Sequence, residues 1–291
     1  MPKTCPASKV LAAGTRSVIS QSISKSEVAR RPVVTSRVLR QLRAGGFVRV
    51  VGVNRVMAPW LAEVAGKIGF DLIWLDLEHR AHSYEVIDSI SLACRATGMD
   101  LMVRIPKAEY GNPMRALEGG ANGIMVPHCR SAEEARQWVR WCRYPPVGQR
   151  GFDSVGADAD FGLSDSARYL QQANGETFVA LQIEDRDAVE RVEEIAAVPG
   201  VDLLFVGPAD LSISLGVPLQ FDHPTLQAAF DRVAEATQKA GIWWGTVTGS
   251  PASAQQALDR GARMITCAND HFLLLDGLRE AYQQFGEIRI R

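Results

Sequence analysis

From residue 47 onward the chain alternates short aliphatic or β-branched runs with longer amphipathic stretches. The runs cover residues 47–53, 71–77, 100–105, 123–127, 177–183, 202–206, 242–247 and 263–267. Most are apolar almost throughout and lack the in–out alternation of a half-exposed strand, the pattern of parallel strands buried on both faces. Helix signals fall between them. Ser131 is followed three residues later by Glu134, a capping-box spacing, and Ser250-Pro251 puts proline at a first helical turn. Gly200, Gly241 and Gly261 stand where a helix must stop before the next strand. Eight strand–helix pairs in succession predict an α/β fold, a (β/α)8 barrel. A doubly wound open sheet is the rival. It calls for a glycine-rich phosphate loop after the first strand, where this chain reads Val53-Asn54-Arg55-Val56.

Two segments break the alternation. Residues 1–35 show no period and read as an N-terminal extension before a barrel at 36–291. Residues 144–175 open with Tyr144-Pro145-Pro146, carry Gly148 and Gly151, and form a long excursion between the fourth and fifth strands. Excursions of this length in a compact domain are usually lids or binding elements, so an active-site loop is expected here. The last stretch, 272–285, is apolar enough to pack on a neighbouring subunit or to cover its own barrel.

Composition narrows the function classes. Of 291 residues, 46% are hydrophobic and 22% charged, and the net charge is -1. That balance gives no electrostatic reason to bind nucleic acid or an anionic membrane. No run reaches a membrane span, and the start lacks the apolar core of a secretory signal. The opening thirty residues are rich in Ser, Lys and Arg, which keeps a transit peptide as an alternative to a surface-docked leader. Cys5, Cys94, Cys129, Cys142 and Cys267 are scattered and odd in number, as reduced thiols of a cytoplasmic protein are.

In a (β/α)8 barrel the chemistry sits at the C-terminal strand ends. Here those ends carry Asp76, Glu78 and His79 on the second strand, Arg104 on the third and His128 after the fourth. Gln182 and Glu184 follow on the fifth, and Pro208-Ala209-Asp210 after the sixth. Glu184 and Asp210, on neighbouring strands, suit a hard cation such as Mg2+ that leaves positions open for a 2-oxo acid. Arg104 adds positive charge at a developing enolate oxygen, unless it serves only as a structural partner of Glu118 or Glu184. The backbone N–H groups of Ala209 and Asp210 open a helix and can hold a carboxylate. His79 with Asp76 is a candidate base, and Glu78 reads as a solvated acid. A Schiff-base mechanism needs a buried lysine at a strand end. The nearest, Lys107, reads as a solvated surface residue.

The same stretches carry a family resemblance. GFDLIWLDLEH (69–79), VRIP (103–106), GANGIMVPHCRSAEEA (120–135), RYPPVGQRG (143–151), QIED (182–185) and VGPADLS (206–212) resemble, in order and spacing, the class II pyruvate aldolases of the HpcH/HpaI family. The resemblance implies a divalent-metal-dependent carbon–carbon lyase using Mg2+, Mn2+ or Co2+. Glu184 and Asp210 would be metal ligands, Arg104 the arginine on the keto oxygen, His79 with Asp76 the base, Gln182 beside pyruvate and Glu118 a supporting acid. It also implies a homo-oligomer, a hexamer or trimer of dimers, with a swapped C-terminal helix. Trp74, His128 and Phe152 match macrophomate synthase rather than the sugar-acid aldolases and are expected at the substrate. Oxaloacetate decarboxylation therefore competes with aldol cleavage, and a CoA-thioester lyase is a further alternative. The acceptor aldehyde is not specified.

Overall fold

The structure is a computed structural model that describes residues 35–286 and 288. The expected leader, apart from Thr35, lies outside the described residues. Eight parallel strands close into a barrel in the order β1-β2-β3-β4-β5-β6-β7-β8. They are β1 (Val48–Val53), β2 (Leu72–Asp76), β3 (Asp100–Arg104), β4 (Gly123–Val126), β5 (Phe178–Ile183), β6 (Leu203–Val206), β7 (Trp243–Val247) and β8 (Met264–Asn269). The open-sheet alternative is excluded, because β1 pairs with both β2 and β8.

The helices, in chain order, are α1 (Arg37–Arg43), α2 (Pro59–Ile68), α3 (Glu85–Thr97), α4 (Gly111–Glu118), α5 (Ala132–Cys142) and α6 (Ser166–Glu176). After β5 come α7 (Arg186–Glu190), α8 (Val192–Ala196), α9 (Pro208–Ser214), α10 (Pro224–Ala240), α11 (Pro251–Asp259) and α12 (Asp270–Gly286). The outward side chains of the strands and the inner faces of the helices make one apolar layer, which includes Ile73, Leu101, Ile124, Leu181 and Leu204. The inward side chains make a second, with Val50, Leu72, Met102, Met125, Phe178 and Phe205. Gly123 is required there, since a Cβ would stand 2.1 Å from the Phe178 ring. Strands with both faces buried explain the unbroken apolar runs of the sequence.

Helix α1 was not signalled by periodicity. Its Val38, Leu39 and Leu42 join the inward layer and close the N-terminal end of the barrel. Asp100, at the start of β3, anchors it. That carboxylate accepts the Ser36 hydroxyl (2.6 Å) and the N–H groups of Arg37 (3.0 Å) and Val38 (2.9 Å).

Part of the 144–175 excursion runs beside α4, where Gly151 N–H donates to Tyr110 Oη (2.6 Å) and a Cβ on Gly156 would meet the Glu118 backbone. A buried Arg150–Asp158 ion pair (2.5 Å) pins it, and Asp158 and Tyr169 border a cavity with Asp100 and Asn122 at the N-terminal strand ends. Loop length foretold the excursion; only the packing of its aromatic and charged residues decides which wall it takes.

The described cysteines, Cys94, Cys129, Cys142 and Cys267, are free thiols. Burial pushes Cys94, Cys129 and Cys142 up to about 12. Among the described residues no helix is long and apolar enough to cross a membrane.

Candidate active site

Strand register brings the first pair together. Asp76 and Arg104 are direct partners across β2 and β3, and both point into the barrel mouth. The guanidinium grips the carboxylate with two bonds, Nε to Oδ1 at 3.0 Å and Nη2 to Oδ2 at 2.8 Å. A bidentate fork of this kind fixes direction as well as distance. Arg104 Nη1 then stands 3.1 Å from Glu78 Oε2 and 3.4 Å from Gln182 Oε1. Gln182 Nε2 donates onward to Glu184 Oε2 (3.1 Å), and Glu184 Oε1 accepts the backbone N–H of His128 (2.8 Å). One polar chain thus runs from β2 to the end of β4. Arg104 does not pair with Glu118 or Glu184, the partners considered from sequence.

Burial sets the electrostatics. Glu184 is 2% exposed. Loss of solvent pushes its carboxyl above the usual range, against the opposing pull of His128 and Arg104. Burial also pushes Asp76 upward, but the Arg104 fork and the N–H groups of Glu78 and His79 outweigh it, so its carboxyl lies below the usual range.

Room for Glu184 depends on Gly207, the residue after β6. A Cβ there would stand 2.5 Å from Glu184 Oε2. The next residues open α9, which places Ala209 and exposed Asp210 in its first turn.

His128 takes a left-handed backbone with φ of 48°, uncommon for a residue with a side chain. That conformation aims its N–H at Glu184 and leaves its ring Nδ1 3.4 Å from the same carboxylate. Lys107 Nζ donates to the His128 carbonyl (2.6 Å) and pairs with Glu134. It is exposed, as the sequence reading has it, and it braces the β4–α5 turn, whereas a Schiff-base lysine is buried.

His79 sits differently from expectation. Asp76 accepts its backbone N–H, while the imidazole is half-exposed with Nε2 3.6 Å from Glu78 Oε2. The carboxylate beside the ring is Glu78. That acid, read from sequence as solvated, faces both Arg104 and His79.

Two expected site residues lie elsewhere within the chain. Glu118 ends α4, and eight helical residues carry the chain back roughly 12 Å from the strand ends. There it faces the charges of Arg150, Asp158 and Asp153, and burial pushes its carboxyl up. Phe152 packs on Tyr144 and Tyr169 along the barrel flank. Trp74 is inside the barrel, beneath Arg104.

Asp270 was missed. Buried at the start of α12, it accepts the N–H groups of Asn54 (3.0 Å), Arg55 (2.7 Å) and Val56 (2.6 Å) and so shapes the turn after β1. An acid directly after the eighth strand was the available signal.

The site has unfilled polar capacity. Glu78 Oε2, His128 Nδ1 and Trp74 Nε1 are buried without a hydrogen bond; the Glu78 oxygen is near Arg104 but at an unsuitable angle. Asp76, Glu78 and Glu184 share one guanidinium, so carboxylates outnumber it here. Carboxylate oxygens with uncompensated charge fit a hard divalent cation. Among the described residues no three His, Cys, Asp or Glu side chains are placed to hold a metal ion together. A cation here would keep positions open for substrate and water.

Comparison with known proteins agrees with this architecture. The family described as HpcH/HpaI aldolase/citrate lyase matches residues 37–276. A hydroxypyruvate/pyruvate aldolase of Paraburkholderia phytofirmans is 37% identical over 229 residues, covering 77% of this chain and 87% of that protein. The crystal structure of an HpcH/HpaI aldolase from Desulfitobacterium hafniense superposes with a TM-score of 0.82 at 32% identity, covering 86% of this chain and 96% of that one. Macrophomate synthase shares the fold, with a TM-score of 0.75 at 23% identity over 91% of this chain and 98% of its own.

Proposed function

The chain belongs to the HpcH/HpaI aldolase/citrate lyase family, and we propose that it is an aldolase that makes and breaks the bond between C3 of a pyruvate unit and an aldehyde carbon. The observation that carries this reading is the continuous Asp76–Arg104–Gln182–Glu184 chain at the barrel mouth.

Glu184 and Asp210 would hold a divalent cation (Mg2+, Mn2+ or Co2+), which when bound supplies Lewis-acid stabilisation of enolate charge. Arg104, fixed by Asp76, presents Nη1 where the keto oxygen of a 2-oxo acid gains negative charge. In cleavage of a 4-hydroxy-2-oxo acid, the C4 hydroxyl proton passes to a base and the C3–C4 bond breaks. Its electron pair becomes the enolate π bond, and the aldehyde departs. The pyruvate enolate then takes a proton at C3. His79 is the base in this scheme, with Glu78 beside its ring to stabilise the imidazolium. The N–H groups of Ala209 and Asp210 hold the substrate carboxylate at the start of α9. Decarboxylation of oxaloacetate reaches the same enolate, and His128 beside Glu184 is the observation that keeps it as a second activity.

The test is pyruvate release from 4-hydroxy-2-oxo acids and from oxaloacetate, before and after chelation. Chelator is expected to abolish both, added Mg2+, Mn2+ or Co2+ to restore them, and Glu184→Gln to lower turnover by more than about 100-fold, as loss of a central electrostatic group does. Full activity of Glu184→Gln in the presence of chelator would overturn the assignment.

A further inference from the structure

Trp74 stands two residues before Asp76 on β2, so its side chain shares the inward face one layer below. It is only 9% exposed and offers little surface to a substrate. What it touches is Arg104. The guanidinium carbon lies 5.0 Å from the centre of the indole, within cation–π range. Phe205 holds the indole in turn, edge to face with centroids 5.4 Å apart at 65°. Across β1, the residue in register with Trp74 is Gly52.

Arg104 is thus constrained from two directions. Asp76 grips its edge, and Asp76 alone would let the guanidinium tilt about the axis of the fork. The indole face beneath removes that freedom and leaves Nη1 directed toward Glu78, Gln182 and the space above. Trp74 Nε1 is buried without a partner, so the contribution comes from the ring and not from its N–H.

We propose that Trp74 is a positioning residue for Arg104, setting the guanidinium plane for the oxo-acid chemistry, an inference that rests on the function proposed above. Removing the ring then lowers turnover with little change in oxo-acid affinity. Trp74→Phe keeps a ring and loses no hydrogen bond; Trp74→Leu keeps apolar bulk without one.

The experiment measures oxaloacetate decarboxylation and pyruvate C3 exchange with solvent deuterium in both variants, alongside crystal structures of each. Trp74→Leu is expected to lose roughly 30-fold in kcat, the weight of a desolvated cation–π contact, with KM within about twofold. Trp74→Phe should stay within about threefold of the parent, and Arg104 should leave its plane only in Trp74→Leu. Trp74→Met serves in place of Trp74→Leu if the latter does not fold. Equal losses in the Phe and Leu variants, a rise in KM instead of a fall in kcat, or an unmoved guanidinium in Trp74→Leu would each overturn the proposal. Absence of both activities from the parent enzyme would instead overturn the proposed function. The crystal structures would then still decide whether the indole sets the guanidinium plane.

Discussion

Glu184 keeps its carboxylate in a place where solvent cannot help it. Its native proton affinity is raised by burial, so the folded chain holds that proton more tightly than the unfolded chain does. Stability from this group is therefore present below the unfolded value near 4.5 and falls as pH rises through the native value. Metal-free protein should lose thermal stability across that window, and Glu184→Gln should lose less. Differential scanning calorimetry of the two proteins from pH 4 to 7 checks the difference. Asp76 has the opposite sign, its lowered value adding stability that disappears in acid, so the comparison must be made between variants. At this scale the sequence was informative where chemistry follows strand order: Asp76, Arg104, Gln182 and Glu184 lie at the C-terminal ends of β2, β3 and β5. Glu78 is less solvated than its sequence position implies, because its partner Arg104 comes from another strand.

Among the elements, the eight strands fall within a residue or two of the apolar runs, because burial on both faces leaves a run with polar residues only at its ends. The capping signal before α5 is also real. Ser131 Oγ accepts the Glu134 N–H at 3.2 Å, although the Glu134 carboxylate reaches back to Arg130 N–H instead of Ser131. Ser131→Ala should cost about 1 kcal/mol, measured by urea unfolding, with turnover unchanged. Helix α1 escaped detection because seven residues show too little period and its N-terminal groups are satisfied by Asp100, sixty-odd residues away. Glu118 and Phe152 stand away from the strand ends within this chain for a related reason. Sequence gives the strand end from which a segment departs, but not how far a helix returns or which wall a loop follows.

Among the described residues, α12 carries a row of exposed apolar side chains. Along α12, Phe272, Leu273, Leu274, Leu278, Tyr282 and Phe285 are all exposed, Tyr282 at 81%. A contiguous patch of this kind marks an interaction surface. The homo-oligomer expected from the family resemblance would bury it against a second copy of the chain. Replacing Leu274 and Leu278 together by Glu should lower the mass seen by sedimentation velocity. An unchanged mass would assign the patch to another role.

The plug formed by α1 has a kinetic consequence. With Val38, Leu39 and Leu42 packed on the inward layer of the strands, the described residues leave the site to be approached from the C-terminal strand ends. Both reactants must come in by that side in turn, and the deeper seat belongs to the partner of buried Glu184 and Arg104. In the synthetic direction the oxo acid should therefore enter first and the aldehyde second, giving an ordered pattern in initial-rate and dead-end inhibition studies. An oxalate-blocked seat would then compete with the oxo acid and not with the aldehyde.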